Sequence, residues 1–472
     1  MKRKFILMMA VVLSIGLLCI SCESNNDNAP DPTPQPTPTA KARHTIIVYG
    51  QVGADMDPLM EQAIERCKPL LTGSDVRMFI CYQYGNADGA RLEMGPAKYG
   101  KPSQVVFFEL TKDTDLNTIS QTAKDGKTWS LTDPKNMTDI INTVYDKAPA
   151  DQYSLVIYGH GGGYDPKIDC PDEIRRATAQ TRATLYDEWS IEKGGNMAMN
   201  MYELSKAIAD SKIPHFNTLF FHSCLMANVE CLYDIYTKAD YIIASANVLA
   251  GIPDILPAYV GAAYKATAAE QIARLTFEGM DSAWRSAVGE MAELGMGGDI
   301  KLIKSDKLTL LPPVCKRLAN RLAALYPTQK EAIDKAVKQS YLYILTSSLK
   351  MVTVDLLDYA NQLCTTTGDS ELKTIAADMK KALDEIILQR SDISANGPNG
   401  TISEYSFTVV LTNGEGYQTT VKDNTYTLQQ AYEYTQFHKL SDWGKWLQTN
   451  TTSPLPDMSF HGETQGTLGL TW

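Results

Sequence analysis

The chain has 472 residues, of which 44% are hydrophobic and 21% are charged, and its formal net charge is −11. This length predicts two or three domain-sized units, more than enough for a sizeable core. The acidic balance and the lack of a basic stripe argue against nucleic acid as a partner.

The first residues have the pattern of an export signal. Residues 2–4 are basic, and the apolar run at residues 5–20 is too short and wrongly flanked for a stable membrane span. The run leads into Leu-Cys-Ile-Ser-Cys22, which resembles a bacterial lipobox. The resemblance implies cleavage before Cys22 and attachment of lipid to this cysteine, whereas the alternative is an ordinary signal peptide cut nearby. We expect an exported protein, lipid-anchored to a bacterial membrane at the outer membrane or the cell surface.

A polar segment follows directly. Residues 22–43 include Asn-Asn-Asp-Asn and then Asp-Pro-Thr-Pro-Gln-Pro-Thr-Pro-Thr, a composition that cannot form a packed core and favours an extended chain. We therefore predict a signal peptide at residues 1–21, a tether at 22–43 and a folded body from about residue 44. No later segment is apolar and long enough to cross a bilayer.

The first half of the body alternates strand-like and helix-like segments. Short apolar runs with strand composition lie at residues 44–50, 76–82, 105–110, 154–158, 219–222 and 241–246. Helical spacing lies at residues 57–71, 139–145, 201–209 and 226–236. Strands that alternate with helices are typical of a mostly parallel sheet covered on both faces. We predict an α/β domain at residues 44–260 with a six-stranded sheet.

After about residue 257 the pattern becomes mainly helical. Helical spacing covers residues 268–291, 307–325, 330–341 and 371–388, and Trp443 and Trp446 lie in a final helix. Residues 403–411 and 417–421 flank Asn-Gly-Glu-Gly and predict a late strand pair. This half lacks clustered reactive residues, so we expect residues 261–472 to form a mainly helical region packed on the core.

A cysteine follows directly on the fifth predicted strand. Cys224 would lie at the carboxyl edge of a parallel sheet, where open α/β sheets place their ligands. The helical spacing that begins at Met226 would also put it at a helix N-terminus, which favours a thiolate. Seven of the nine cysteines lie beyond the lipobox, and this odd number leaves at least one free thiol to explain. Cys224 is thus a candidate nucleophile, whereas the alternative is a small buried side chain without chemistry.

A histidine follows the fourth predicted strand in the same way. That strand ends in Tyr-Gly-His160-Gly-Gly-Gly. If the two strands are neighbours, His160 and Cys224 emerge at the same edge of the sheet. An imidazole beside a thiol supplies an ion pair for the thiolate and a proton donor for a leaving amine. The glycines let a substrate approach the backbone and leave N–H groups free for an oxyanion.

Two other interpretations involve the same residues. His-Gly-Gly-Gly also resembles the oxyanion loop of lipases, but the chain contains no Gly-x-Ser-x-Gly, so a serine hydrolase would lack its nucleophile. A zinc site built from His160, His222 and Cys224 is the second alternative, although their spacing matches no recognised zinc motif. We expect no metal site.

Together the two motifs resemble those of clostripain-like cysteine peptidases, which have a caspase-like α/β fold. The matching stretches are Tyr-Gly-His160-Gly-Gly-Gly-Tyr, Phe-Phe-His-Ser-Cys224-Leu-Met-Ala-Asn-Val-Glu and Ala-Asp-Tyr-Ile-Ile-Ala-Ser, and the similarity is strongest over residues 44–259. The resemblance implies a His160/Cys224 dyad, with the N–H groups of Gly161 and Cys224 as oxyanion donors. It also implies peptide or protein substrates. We expect no cofactor, and only the family resemblance suggests a role for calcium.

The chain departs from this family at the pocket for the substrate side chain. The family commonly has Asp-Ala-Cys where this chain has His222-Ser223-Cys224, and it often has an acidic residue at the position of Ile252. A carboxylate at these positions would attract a basic side chain. Asp254 lies two residues past Ile252, and it is a candidate substitute only if the turn at Pro253 brings it into the pocket. We expect a weakened preference for Arg and Lys. The alternative is that His222 is hydrogen-bonded beneath the site and never meets substrate.

These patterns predict a lipid-anchored cysteine endopeptidase that works through a thioester intermediate. The alternative is a catalytically weak or inactive surface protein that binds peptides or proteins. The resemblance further implies self-cleavage between the histidine and the cysteine. The polar residues 161–200 offer Arg175, Arg176 and Arg182 for this cut, unless they form an uncleaved surface loop.

Overall fold

The computed structural model describes part of the chain in detail. The described residues are 41–51, 57–85, 97–126, 128–164, 184–186, 198–247, 249, 251–293, 299–344, 352–391, 405–412, 418–421, 424–427 and 432–449. Cys22 and the predicted cleavage sites Arg175, Arg176 and Arg182 lie outside them. Within the described residues, no helix has both the length and the apolar character needed to cross a membrane.

Strands occur along the whole of the body. In chain order they are β1 (Ala42–Gln51), β2 (Val76–Gln83), β3 (Gln104–Leu110), β4 (Lys124–Asp125), β5 (Ala150–Gly159), β6 (Thr184–Tyr186), β7 (Ala198–Met199), β8 (Phe216–His222), β9 (Ala239–Ser245), β10 (Ile300–Lys304), β11 (Leu342–Ile344), β12 (Val352–Asp355), β13 (Ile387–Arg390), β14 (Thr408–Thr412), β15 (Gln418–Val421) and β16 (Asn424–Thr427).

Helices connect and cover these strands. In chain order they are α1 (Asp57–Cys67), α2 (Pro134–Lys147), α3 (Met201–Ala209), α4 (Val229–Ile235), α5 (Ile255–Lys265), α6 (Ala269–Glu293), α7 (Leu311–Gln339), α8 (Leu356–Thr367), α9 (Ser370–Ile386), α10 (Gln436–Ser441) and α11 (Trp443–Thr449). Short 3₁₀ helices lie at Lys68–Leu70, Leu116–Thr122, Tyr236–Lys238 and Ser305–Leu310. Helix α3 has the predicted bounds because Asn200 and Glu203 form a capping box at its start.

A nine-stranded sheet forms the centre of the structure, with the order β13-β10-β9-β8-β5-β1-β2-β3-β4. The central strands from β9 to β2 are parallel, and the strands at both edges pair antiparallel. All six predicted strands lie in this sheet, but the predicted strand count is wrong because β4, β10 and β13 extend its edges. β13 follows α9 without a break, so its first two residues fell within the helix predicted at residues 371–388, and pairing with β10 sets their conformation.

Helices bury both faces of the sheet. In β1, Ile46 and Val48 point into one core and Ile47 and Tyr49 into the other, and all four are fully buried. Helices α1, α5 and α6 pack on the first face. Helices α2, α3 and α4 pack on the second face together with α7 to α11. Burial on both faces explains why the central strands read as continuous apolar runs.

After residue 260 the strands pair differently from the prediction. The predicted late strand pair is wrong, because β14 pairs with β12 and β15 pairs with β16. The partner on β12 buries Val409 and Val410, and this tertiary contact outweighs the local turn signal. The two helices predicted at residues 307–341 form the single helix α7, which is interrupted at Gln329 just after Pro327.

Candidate active site

The carboxyl ends of β5 and β8 bring the histidine and the cysteine to one edge of the sheet. The two strands are adjacent and parallel, and Tyr158 lies opposite His222 in their register. His160 and Cys224 each follow two residues later. Both residues therefore leave the sheet at the same level, on neighbouring strands.

The loop that carries the histidine lies directly against the cysteine backbone. A Cβ atom added at Gly161 would lie 2.4 Å from the carbonyl oxygen of Cys224 and 3.1 Å from its nitrogen. Any side chain at position 161 would therefore collide with residues 223–228, which we call the nucleophile loop because they include the candidate nucleophile Cys224. Gly163 has a φ of 69°, a conformation that side chains rarely adopt. These two glycines let the histidine loop turn tightly onto Cys224.

The Cys224 sulfur has a hydrogen-bond donor from the end of β9. The Leu249 N–H donates to Sγ at 3.3 Å. A backbone N–H aimed at sulfur favours the charged thiolate. By contrast, burial raises the pKa of the Cys67, Cys81 and Cys315 thiols, which keeps them protonated. Cys224 is half-buried, so among these four thiols it is the one suited to nucleophilic chemistry.

The predicted helix N-terminus at Cys224 is wrong. Helix α4 begins only at Val229, and the turn between has Leu225 in a left-handed conformation with a φ of 63°. The Leu225 N–H donates to the Asn247 carbonyl at 3.1 Å, which ties this turn to the end of β9. Because a helix dipole acts only over its first turn, it contributes little at the sulfur. The Leu249 N–H, 3.3 Å from the sulfur, is a donor that lies at Cys224 where no helix N-terminus does.

His222 lies in an aromatic environment at the end of β8. Its side chain is 4% exposed, and its ring centroid lies 4.2 Å from that of Tyr158 in an edge-on contact. The Phe220 ring lies 5.5 Å away on the same strand face. Tyr158 and Phe220 belong to the apolar cluster against which Cys224 also packs. The His222 imidazole is thus largely shielded from solvent at the end of β8, two residues before Cys224.

Ile252 and Asp254 lie on the segment that leads into α5. Ile252 is partly buried against the same apolar cluster as Cys224. Asp254 is 55% exposed, and its Oδ2 lies 2.5 Å from Nη1 of Arg66 on α1. A cavity of about 520 Å³ between α5 and α6 begins at Asp254, but neither His160 nor Cys224 lines it. The Asp254 carboxylate is therefore engaged in a surface ion pair.

Residues of the C-terminal region contact the nucleophile loop, which the sequence did not indicate. The Thr408 N–H donates to the Ala227 carbonyl at 3.1 Å. The Val410 N–H donates to the Glu230 carboxylate at 3.1 Å. Glu230 is fully buried on α4. An acidic residue within this apolar stretch was the one feature of the sequence that could have indicated the contact with the C-terminal region. The contact between Leu249 and the Cys224 sulfur could not be predicted from the sequence, because Leu249 donates through its main-chain N–H and not through its side chain.

The described residues contain no group of three or more His, Cys, Asp or Glu side chains that could hold a metal ion. His160, His222 and Cys224 all lie within this part of the chain, so the zinc alternative has no support in their geometry. The described residues likewise offer no carboxylate cluster of the kind that calcium requires. No step of the chemistry below passes through a metal.

Comparisons with known proteins bear on the family and the fold. A family model described as the clostripain family matches residues 65–452. A search of curated protein sequences found no match. Similar solved structures include an inactive zymogen C11 protease from Parabacteroides distasonis, with 17% identity and a TM-score of 0.52. A secreted C11 cysteine protease from Bacteroides thetaiotaomicron, in complex with an irreversible peptide inhibitor, has 17% identity and a TM-score of 0.54.

A second structure of a secreted C11 cysteine protease from Bacteroides thetaiotaomicron, called iotapain, has 16% identity and a TM-score of 0.53. Each alignment covers 85% of this chain and 99%, 99% and 100% of the three matched chains, respectively. At this identity the structures show a common fold. The family match spans both strand-end motifs and most of the chain. The chain therefore belongs to the clostripain family of cysteine-type peptidases.

Proposed function

We propose that Cys224 and His160 form the catalytic dyad of an endopeptidase. The observation that carries this proposal is the contact of Gly161 with the Cys224 backbone, which supports a short reach between imidazole and sulfur. The thiolate attacks the scissile carbonyl carbon, and His160 gives its proton to the departing amine. Water then attacks the thioester, His160 takes a proton from this water, and the cysteine sulfur leaves.

The oxyanion formed in both steps needs hydrogen-bond donors. We propose the N–H groups of Gly161 and Cys224 for this role, because the backbones of these two residues are in contact. Donors fixed on the backbone stabilise the developing charge without rearranging during the reaction. The adjoining glycines leave room for the substrate main chain.

Cleavage of a diverse peptide library tests the proposed activity. The wild-type chain should cut internal peptide bonds, and Cys224→Ala should cut none. A second candidate function is a surface protein that binds peptides but cleaves them weakly or not at all, and the imidazole at position 222 favours it. Peptides that bind the wild type and stay intact would support that candidate and contradict the peptidase.

We also propose that the pocket next to Cys224 has a weakened preference for basic side chains. His222 lies among aromatic rings, Ile252 is apolar, and the Asp254 carboxylate pairs with Arg66. A neutral imidazole does not attract a basic side chain, and a protonated one repels it. Cleavage after Arg, Lys and neutral residues should be compared in wild type, His222→Asp and Asp254→Ala. Strong basic specificity that survives Asp254→Ala would contradict this proposal.

Maturation by self-cleavage is a further part of the proposed function. Arg175, Arg176 and Arg182 are the proposed cut sites, because they lie in a polar segment between the two catalytic residues. Wild type should then run as two fragments in a denaturing gel, whereas Cys224→Ala stays whole. An active wild type that stays intact would exclude self-cleavage.

We propose that the protein is exported and held at a bacterial outer membrane or cell surface by lipid on Cys22. The apolar run and the lipobox-like sequence before this cysteine support the proposal. Fractionation of cells should find wild type with the membranes and Cys22→Ala in the soluble fraction. Equal distribution of the two would count against the anchor.

A further inference from the structure

A buried carboxylate joins α4, the helix that follows the Cys224 turn, to the C-terminal region. Glu230 lies in the first turn of α4 and is fully buried. Its Oε1 accepts hydrogen bonds from the Val410 N–H at 3.1 Å and from the Tyr432 hydroxyl. Burial raises the pKa of this carboxyl to about 7 although these hydrogen bonds lower it. Burying an acidic side chain costs folding free energy, so a carboxylate at this position is expected to have a role other than stability.

Tyr432 extends this contact to the histidine loop. Its ring is fully buried and meets the Tyr164 ring edge-on, with the centroids 5.6 Å apart. Tyr164 closes the segment that begins at His160, and it is 1% exposed. The histidine loop is thus held at one end by Gly161 against Cys224 and at the other by Tyr164 against Tyr432.

The nucleophile loop is held from the same side. The Thr408 N–H donates to the Ala227 carbonyl at 3.1 Å, and Thr408 forms a parallel bridge with Asn228, the N-cap of α4. Thr408 and Val410 both lie on β14, so one strand contacts the nucleophile loop and the Glu230 carboxylate. The two catalytic loops therefore share one support in the C-terminal region.

We propose that Glu230 is a positioning residue that holds the His160 loop in place relative to Cys224 through Tyr432 and Tyr164. This inference rests on the dyad proposed above. A displacement of about 1 Å at a reacting group costs roughly a hundredfold in rate, so a support that touches both loops matters for catalysis. The Glu230 carboxylate reaches the histidine loop without touching substrate.

Three variants test this role. Tyr432→Phe removes only the hydroxyl and keeps the ring on Tyr164, Glu230→Met removes the acceptor at similar size, and Glu230→Gln keeps one acceptor oxygen. The first two should lower kcat by about tenfold or more with KM within about twofold, because the loop is displaced but the substrate site is intact. They should also raise the pH midpoint for alkylation of Cys224 by iodoacetamide, since the thiolate loses its imidazolium partner. Glu230→Gln should keep both kcat and the pH midpoint of alkylation near their wild-type values, because its remaining acceptor oxygen can still bind the Tyr432 hydroxyl.

Tyr233→Phe is the matched control. Tyr233 also lies on α4, and its buried hydroxyl donates to the Leu308 carbonyl instead of the Glu230 carboxylate. This variant should lower the melting temperature but leave the alkylation midpoint unchanged. An unchanged midpoint in Tyr432→Phe, or an equal shift in Tyr233→Phe, would overturn the inference, even if Glu230→Met does not fold. His160→Ala separates the two proposals: if it shifts the midpoint while Tyr432→Phe does not, only the role of Glu230 fails, and if it has no effect, the dyad fails as well.

Discussion

Gly161→Ala probes the contact on which the proposed dyad depends. The added Cβ would lie 2.4 Å from the Cys224 carbonyl oxygen and 2.8 Å from the Ser223 Cβ, whereas ordinary contacts begin at 3.4 Å. The histidine loop and the nucleophile loop must therefore separate by about 1 Å, which is the difference between 3.4 and 2.4 Å. Such overpacking costs about 1–3 kcal/mol of stability. A displacement of this size should lower kcat/KM by roughly a hundredfold.

The assay compares kcat/KM for a peptide that wild type cleaves with the free energy of unfolding in urea. Alanine keeps the N–H of residue 161, so a loss of rate would come from displacement and not from a missing oxyanion donor. Gly261→Ala on α5 is the control, because its Cβ would meet nothing within 4 Å. That control should keep its activity and gain up to about 1 kcal/mol from better helix propensity. A Gly161→Ala variant with wild-type rate and stability would refute the reasoning.

Other parts of the structure give further predictions. The Glu230 carboxyl has a pKa of about 7 in the folded protein against an ordinary value of 4.5, so the folded state binds more protons between these pH values and stability falls as pH rises through them. The full difference corresponds to about 3 kcal/mol, of which about 2.5 kcal/mol falls between pH 5 and pH 8. Urea unfolding at these two pH values should show it as a difference between wild type and Glu230→Gln. Asp254→Ala should change the free energy of unfolding by less than about 1 kcal/mol, because its pair with Arg66 is exposed. In the native protein, mass spectrometry should find iodoacetamide on Cys224 and none on Cys67, whose thiol is buried with a raised pKa; equal labelling of the two would contradict the burial argument.

The central sheet and the placement of His160 and Cys224 at strand ends could be predicted because buried parallel strands give continuous apolar runs. His160 and Cys224 each end such a run, and the parallel register keeps them level. The edge strands could not be predicted in this way. Residues 387–388 lay within the predicted helix, and pairing with β10 places them in a strand instead.

The detailed surroundings of Cys224 could be predicted only in part. Met226 continues the helical spacing of α4, yet the chain makes a left-handed turn at Leu225 that hydrogen bonds from the end of β9 hold in place. The Leu249 N–H leaves no trace in a side-chain pattern. Tyr432 lies far along the chain from Glu230, so their contact depends on tertiary packing.

The central claim is that His160 and Cys224 act as one pair. The most direct measurement is the rate at which iodoacetamide alkylates Cys224 in wild type and in His160→Ala as a function of pH. We expect fast alkylation in wild type well below the ordinary thiol pKa of about 8.5, and a rate at least about tenfold lower at pH 6 in His160→Ala. Slow alkylation in wild type that His160→Ala leaves unchanged would contradict the claim.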